Sequence, residues 1–392
     1  MDNSTISDST IFSDMSLEEL LVMLCTNRTN MTFTECLEKE QVLTILGIPP
    51  LVVLPTLAVT LLIVAYIIVF VLALIGNSLV VIVITRRRSM RTVINMFIFS
   101  LAISDLLIVL LCVPFTLVDT LTIDWVLGPF LCKALNYIAM VAIVESTLTL
   151  LVIALERHHA ICYPLRARMI KNPRKALYVV GVLWFLSMCL VSPLLVVTQV
   201  IEHHDTLADV VVLRTYRFCE EQWTKKTHKQ NFTLFLVVLL YVIPLTTMVV
   251  LYLRIANQLW VRKAVTPGDM PRSKASSACS LRYKKKATKM LIIVVVLFAS
   301  SWLPYHIVNV FRDFTHLLDS GHNRLMLAIV QLVGFSNSFN NPIVYVFLNE
   351  NFKRNFLRTL TFNRRRQMLK GKKGAKTGST NIFPPYNVAT NL

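Results

Sequence analysis

Residues 56–85 read TLAVTLLIVAYIIVFVLALIGNSLVVIVIT, thirty consecutive positions without an Asp, Glu, Lys or Arg. As an α-helix this segment would be about 45 Å long, which exceeds the roughly 30 Å thickness of the hydrocarbon core of a bilayer. An isolated lipid-facing strand is excluded, because its backbone groups would lie unpaired in hydrocarbon. The segment therefore predicts a helix that spans a membrane.

Six further apolar stretches follow, and each has the roughly 20 residues that a spanning helix requires. They lie near residues 94–120, 129–162, 175–198, 231–261, 286–313 and 324–348. Several contain a proline, which usually kinks a membrane helix while neighbouring helices satisfy the freed carbonyl groups. These prolines are Pro114, Pro193, Pro244, Pro304 and Pro342. The sequence thus predicts an all-α membrane protein, a bundle of seven transmembrane helices.

The composition also indicates that the bilayer is the solvent. The chain is 55% hydrophobic and 16% charged, with a mean hydropathy of +0.61, whereas soluble proteins carry about 25% charged residues. A net charge of +18 would suggest nucleic acid as the partner of a soluble protein. Here the basic residues lie between and after the apolar stretches, as in cytoplasmic loops, so nucleic acid is not expected.

The distribution of Lys and Arg predicts the orientation of the chain in the cell membrane. Basic residues cluster in the first, third and fifth loops and in the tail, whereas the second loop is poor in them. The positive-inside rule therefore puts the N-terminus outside and the C-terminus inside. The fourth loop runs against this trend, because it carries Lys225, Lys226 and Lys229.

Each predicted helix also carries a polar, aromatic or proline motif. In chain order these are Gly76-Asn77, Leu101-Ala102-x-x-Asp105, Glu156-Arg157-His158, Trp184, Pro244, Phe298-x-x-x-Trp302-x-Pro304 and Asn341-Pro342-x-x-Tyr345. Together they resemble the motifs of the rhodopsin-like G-protein-coupled receptors, from the first apolar stretch to the last. The resemblance implies a receptor rather than an enzyme, with heterotrimeric G proteins and arrestin as partners.

The resemblance also implies a division of the chain. Residues 1–50 form an extracellular arm, and residues 51–349 form the seven-transmembrane receptor domain. Residues 350–361 place Phe352, Phe356, Leu357 and Leu360 at helical spacing, which predicts a short amphipathic eighth helix on the inner leaflet. Residues 362–392 form a cytoplasmic tail. Three Asn-x-Ser/Thr patterns predict glycosylation of the arm, at Asn3, Asn27 and Asn30.

Asp105 is a carboxylate near the middle of the membrane, where an ionisable group is costly and usually functional. The resemblance implies a water-filled sodium pocket, and bound sodium would favour the inactive state. Its residues would be Asp105, Ser146, Asn77, Asn337 and Asn341. The alternative is a lone protonated Asp105 that one hydroxyl satisfies. No other metal and no cofactor are expected.

The resemblance further implies an activation switch. Glu156 would hold Arg157 at rest, and activation would free Arg157 to meet the G protein and Tyr252 or Tyr345. Trp302, Pro304, Asn341 and Pro342 would couple the ligand pocket to this change, and Leu165 would enter a pocket on the G protein. The alternatives are an interfacial salt bridge without a switching role and a tryptophan that only packs the core.

Two cysteine pairs lie on the predicted outer side, where a disulfide is chemically allowed. The resemblance implies a bridge between Cys132 and Cys219, and Cys25 and Cys36 could form a second. The remaining cysteines are interpreted as reduced, namely Cys112, Cys162, Cys189 and Cys279.

Two positions exclude ligand classes within the family. Residues 324–348 contain no lysine for a retinal Schiff base, and the amine-binding Asp position of the third helix is Ala139. Segments such as Cys219-Glu220-Glu221-Gln222-Trp223 are similar to the RFamide neuropeptide receptors, in particular those for pyroglutamylated RFamide peptides. Ala139 departs from the Gln usual there. Cholecystokinin-, orexin- and neuropeptide Y-type peptides therefore remain alternatives.

An amidated peptide with a cationic end suggests acidic partners on the outer side. Asp313 would pair with an Arg of the peptide, assisted by Glu220 and Glu221. An amidated aromatic residue would lie deeper, above Trp302, in contact with Tyr305, His306 and Gln331. The alternative is that Asp313 pairs only with Arg312 or with loop groups.

Three further interpretations concern the C-terminal residues and the class of protein. The C-terminal Thr390-Asn391-Leu392 could bind a PDZ domain, which pockets a terminal apolar side chain, although a free tail is the simpler interpretation. A transporter or channel would predict internal repeats or broken helices, and the sequence contains no convincing repeat. An adhesion protein would leave Asp105 and Arg157 unexplained.

Overall fold

The computed structural model describes residues 56–122, 124–163, 172–207, 211–261, 274–315, 323–348 and 352–354. Seven long helices dominate this part of the chain. They are α1 (Thr56–Arg86), α2 (Val93–Leu121), α3 (Gly128–Cys162), α4 (Pro173–Leu190), α5 (Lys226–Trp260), α6 (Lys274–Phe314) and α7 (Asn323–Leu348). The predicted seven-helix bundle is therefore confirmed.

The helices close into a ring around α3. Helices that follow one another in the chain pack together except for α4 and α5, α7 returns to pack against α1, and α3 contacts α2, α4, α5 and α6. One side of each outer helix exposes large apolar side chains such as Ile67, Phe185 and Leu253. Because lipid replaces water around these faces, their exposure is what a membrane-spanning bundle requires.

Helix α7 carries several polar residues in its middle. Length and apolar composition alone identify six helices of the described residues as membrane spans, α1 to α6. Helix α7 carries Ser336, Asn337, Ser338, Asn340 and Asn341 in its middle, and Asn337, Ser338 and Asn341 are buried. The polar residues that lower the mean hydropathy of α7 thus lie largely inside the bundle, where they form part of the site described below.

Two of the prolines coincide with wide helical turns. Proline clashes with the carbonyl of the residue four positions earlier. For Pro114 that residue is Leu110, within the π turn Ile108–Cys112, and for Pro244 it is Leu240, within the π turn Val238–Val242. The extra residue in each turn accommodates the ring without ending the helix.

The predicted end of α4 was wrong, whereas the predicted span near 286–313 is confirmed as part of a longer helix. Helix α4 ends at Leu190 rather than near residue 198, so Pro193 lies in the turn that follows and not in a helix. Helix α6 begins at Lys274 rather than near residue 286. Its first three turns are polar, so the apolar pattern could not reveal them.

The all-α prediction also missed a β-hairpin between α4 and α5. Strand β1 (Thr198–Leu207) pairs antiparallel with β2 (Val211–Glu221). The Cys132–Cys219 disulfide ties β2 to the start of α3, and the amide of Trp125 donates to the carbonyl of Arg217 at 2.7 Å. Two anchors thus hold the hairpin over the outer end of the bundle.

Helices α1 and α7 approach closely where Gly76 faces Pro342. A Cβ atom built on Gly76 would lie 2.8 Å from the Cβ of Pro342, closer than real side-chain atoms come. Glycine is therefore required here by the proline ring opposite it. Gly181 on α4 differs, because a Cβ there would meet no atom within 4 Å.

We predict that Gly76→Ala destabilises the protein, because overpacking a filled contact costs about 1–3 kcal/mol. The apparent melting midpoint of the purified protein in detergent should fall by roughly 3–10 °C. Gly181→Ala is the matched control and should leave the midpoint nearly unchanged. Equal midpoints for the two variants would contradict the close contact between α1 and α7.

Candidate functional site

The buried polar groups of α1, α2 and α7 meet at Asp105. The Asp105 side chain is buried, and the amide of Asn341 donates to its Oδ2 at 3.0 Å. Ser338 is buried beside this carboxyl group. The amide of Asn77 donates to the carbonyl of Ser338 at 2.7 Å. Because Pro342 lacks an N–H, that carbonyl would otherwise lack its helical partner.

Two oxygen atoms beside this network stay unsatisfied. Asn77 Oδ1 and Asn337 Oδ1 are buried, and neither accepts a hydrogen bond from the described residues. Ser146 on α3 is buried as well. Unsatisfied buried oxygens are costly, and together with a carboxylate they match the ligand preference of a hard cation. The five residues predicted for the sodium pocket therefore suit such an ion chemically.

Glu145 is a second buried carboxylate, which the sequence analysis missed. Ser100 Oγ and Thr149 Oγ1 donate to its Oε1 at 2.5 and 2.7 Å, and Ser104 donates to Oε2. The indole of Trp184 donates to Ser100 Oγ at 3.0 Å. The network thus joins α2, α3 and α4. The signal was present, since any ionisable residue within a spanning segment is a candidate for a functional role.

At the end of the bundle that is predicted to be cytoplasmic, Arg157 lines a cavity of about 110 Å³ between α2, α3 and α6, together with Asn95, Ala287 and Met290. Glu156 and Tyr252 are buried nearby. Tyr252 lies within electrostatic range of both Arg157 and Tyr345. The structure therefore places four of the predicted switch residues, Glu156, Arg157, Tyr252 and Tyr345, in one region, and the side chain of Arg157 borders the cavity.

Trp302 lies at the centre of an aromatic cluster in the outer half of the bundle. Its ring makes edge-to-face contacts with Tyr305 and Phe335, with ring centroids 5.8 and 6.3 Å apart. Gly334 faces the same ring, and a Cβ there would lie 2.7 Å from it. Movement of Trp302 would therefore press directly on α7, three residues before Asn337.

A cavity of about 70 Å³ opens above this cluster, lined by Trp302, Tyr305, Gln331 and Ala139 among others. Three residues predicted to hold an amidated aromatic group thus share one cavity. His306 does not line it, because its ring lies against Tyr241 at 4.4 Å. The small side chain at Ala139 leaves room that a larger residue would fill.

Asp313 is near the outer end of α6 and is buried. Lys229 Nζ lies 3.2 Å from its Oδ1 and Arg312 Nε lies 3.8 Å from the same atom. Thr233 Oγ1 donates to Oδ2 at 2.5 Å. Lys229 was not among the predicted site residues. The signal that could have revealed Lys229 was its position in the predicted extracellular fourth loop, where basic residues run against the charge trend.

The two acidic residues of the hairpin have different surroundings. Glu220 is exposed and lies 3.6 Å from His203. Glu221 accepts a hydrogen bond from the indole of Trp223 at 2.9 Å. Glu221 and Asp313 both lie within electrostatic range of Tyr305. Glu221 is therefore held by Trp223, whereas Glu220 pairs with His203 at the surface.

The disulfide implied by the resemblance joins Cys132 and Cys219, and Cys112, Cys162 and Cys189 form no disulfide with another described residue. Phe352 is buried against Tyr345, with ring centroids 6.1 Å apart, and Phe352–Arg354 are helical. The rest of the predicted eighth helix lies outside the described residues. So do the remaining predicted positions, Asn3, Asn27, Asn30, Cys25, Cys36, Leu165 and the C-terminal Thr390-Asn391-Leu392.

Comparison with known proteins agrees with this arrangement. The chain is 42% identical to the QRFP-like peptide receptor of Branchiostoma floridae over 89% of this chain and 88% of that one. It is 36% identical to the mouse pyroglutamylated RF-amide peptide receptor over 83% of this chain and 76% of that one. It is 37% identical to the mouse neuropeptide Y receptor type 2 over 76% and 75%.

The family model of the rhodopsin-type seven-transmembrane receptors matches residues 76–345. This range contains every motif from Gly76 to Tyr345, and the chain is therefore a multi-pass membrane receptor and not an enzyme. The prediction from the sequence motifs is confirmed, and the alternatives of a transporter, a channel or an adhesion protein are excluded. The chain belongs to the rhodopsin family of seven-transmembrane receptors.

Proposed function

We propose that this receptor binds an extracellular amidated neuropeptide of the RFamide type and activates heterotrimeric G proteins. The observation that supports the proposal most is the pairing of an aromatic cavity above Trp302 with a buried carboxylate, Asp313, further out on α6. Eight residues separate Tyr305 from Asp313, a rise of about 12 Å. The neighbouring Arg and amidated Phe of one extended peptide suit groups at this spacing.

The amidated Phe would lie in the cavity, where Gln331 offers an amide partner for the terminal carboxamide and Trp302, Tyr305 and Phe335 offer ring contacts. The Arg would pair with Asp313, with Glu221 as a second acid nearby. Two relatives are named as receptors for RFamide-type or QRFP-like peptides. A neuropeptide Y-type peptide is the second candidate, because a named receptor of that type is 37% identical.

A mechanism follows from the contacts of Trp302. A ligand in the cavity touches the ring whose other neighbours are Gly334 and Phe335 on α7. Displacement of the ring would shift α6 and α7 relative to each other. The cytoplasmic ends of these helices carry the groups around Arg157, so the shift would widen the cavity there and admit the G protein.

The polar network around Asp105 supports a sodium ion as an allosteric ligand of this receptor. Asp105 would neutralise the charge, and Ser146, Asn77, Asn337 and Asn341 would supply oxygen atoms. A bound cation would cross-link α2, α3 and α7 in the arrangement described above. An ion that prefers one arrangement of the helices opposes a peptide that prefers another.

Other features of the proposal concern partners and orientation. The basic loops support an extracellular N-terminus and a cytoplasmic C-terminus. Arrestin would use the same cytoplasmic cavity at Arg157 as the G protein.

A PDZ-domain scaffold remains a proposal for the C-terminal Leu392, and deletion of that residue should then abolish recovery of the scaffold with the tail.

Replacement of Asp313 tests the peptide assignment. Asp313→Ala should lower the potency of a peptide ending in Arg-Phe-amide by roughly one to three orders of magnitude, since a charge pair that loses one partner costs about 2–5 kcal/mol. The same peptide with citrulline in place of Arg should be hardly affected. Potency is measured as stimulated nucleotide exchange on membranes.

The matched control is Glu202→Ala, which removes an exposed carboxylate of β1 and should change potency less than about threefold. Equal losses for the Arg and the citrulline peptide in Asp313→Ala, or no loss for either, would contradict the pairing of Asp313 with the ligand.

Sodium dependence tests the pocket at Asp105. Replacing potassium with sodium at constant ionic strength should weaken peptide binding to the wild-type receptor by about fivefold or more, within the usual range of allosteric coupling. Asp105→Asn should abolish this difference, because the amide carries no charge for the ion. Glu145→Gln alters the other buried carboxylate and should retain the difference in peptide binding between sodium and potassium. Full sodium sensitivity in Asp105→Asn would rule the site out.

A further inference from the structure

The Asp313 carboxylate is enclosed by cations that belong to the protein itself. Its side chain is 2% exposed, whereas that of Lys229 is 29% exposed. Lys229 Nζ is 3.2 Å from Oδ1, yet Oδ1 accepts no directed hydrogen bond from the described residues. Arg312 Nε is 3.8 Å from the same oxygen, which is too far for a hydrogen bond. The carboxylate thus has charge partners but keeps one oxygen unsatisfied.

The other carboxylate oxygen is already engaged. Thr233 Oγ1 donates to Oδ2 at 2.5 Å, and the amide of Gln230 donates to the backbone carbonyl of Asp313 at 3.0 Å. Both residues belong to α5 and lie within one turn of Lys229. Together they fix Asp313 against α5. Only Oδ1 can therefore exchange its present partner, Lys229, for a group of the ligand.

We propose that Lys229 is a displaceable counter-ion, which occupies the ligand's cation site in the peptide-free receptor and makes the site select for guanidinium over ammonium. This inference rests on the proposed function. A ligand Lys would replace one ammonium group by another and gain little. A ligand Arg brings a planar fork of N–H donors, one of which can satisfy Oδ1. Lys229, at the end of a flexible and partly exposed side chain, then moves to solvent.

The inference makes opposite predictions for two variants of one residue. Lys229→Met removes the internal competitor, so the affinity for a peptide ending in Arg-Phe-amide should rise roughly three- to tenfold. Lys229→Arg replaces it with a stronger competitor for the same oxygen, so that affinity should fall by a similar factor. Misfolding could lower affinity in both variants but could not produce changes of opposite sign.

The experiment measures the dissociation constants of three synthetic peptides for the purified full-length receptor. The peptides carry Arg, Lys or citrulline before the amidated Phe. Wild type should prefer Arg over Lys by about tenfold or more, and Lys229→Met should narrow this preference, because a ligand ammonium then also gains a charge partner. Lys225→Met, an exposed lysine one turn earlier, is the matched control for net charge and should behave as wild type.

The outcomes separate the two proposals. If wild type binds the Arg peptide but both Lys229 variants keep its affinity and its preference, Lys229 is not a competitor and the inference is overturned while the proposed function stands. The inference is overturned in the same way if both variants lose affinity equally for all three peptides. If wild type binds none of the amidated peptides, the proposed function fails and the inference fails with it.

Discussion

Hydrocarbon offers no hydrogen-bond partners, so polar groups inside this bundle depend on partners that the protein itself supplies. The contact between α1 and α7 illustrates the constraint. Pro342 leaves the carbonyl of Ser338 without its helical donor, and the side chain of Asn77 donates to that carbonyl at 2.7 Å. Gly76 allows α1 to approach the proline ring closely enough for this bond. The adjacent Asn341 then reaches Asp105 on α2.

The same constraint connects the site to the signal. Trp302 packs against Gly334 on α7, three residues before Asn337, whose side-chain oxygen is buried without a partner. A ligand that moves the Trp302 ring therefore acts on the helix that completes the polar network. That network lies between the cavity at Trp302 and the cavity at Arg157, and under the proposed function its packed, paired groups would transmit a change from one end to the other. Glu145 and its three hydroxyl partners hold α2 to α3 beside this route.

The sequence predicted the seven helices and grouped Asp105 with Asn77 and Asn341, because apolar length and the order of the motifs are properties of the chain itself. It could not predict the outer hairpin, whose strands depend on pairing with each other and on the Cys132–Cys219 bridge. It also missed the partners of Asp313, since α5 and α6 are distant in sequence and only packing brings Lys229 within 3.2 Å. Glu145 is a different case. Its place within an apolar stretch could have been seen in the sequence, but no family motif marks it.

The central claim is that an amidated peptide at the outer cavity drives G-protein activation through this bundle. Its most direct test is guanine-nucleotide exchange on a purified heterotrimer, with the full-length receptor in lipid nanodiscs and a panel of amidated and free-acid peptides. We expect a peptide ending in Arg-Phe-amide to accelerate exchange, its free-acid form to be much weaker, and an Arg157→Ala receptor to bind the peptide without accelerating exchange. Equal stimulation by amidated and free-acid peptides, or none by any peptide on a folded receptor, would contradict the claim.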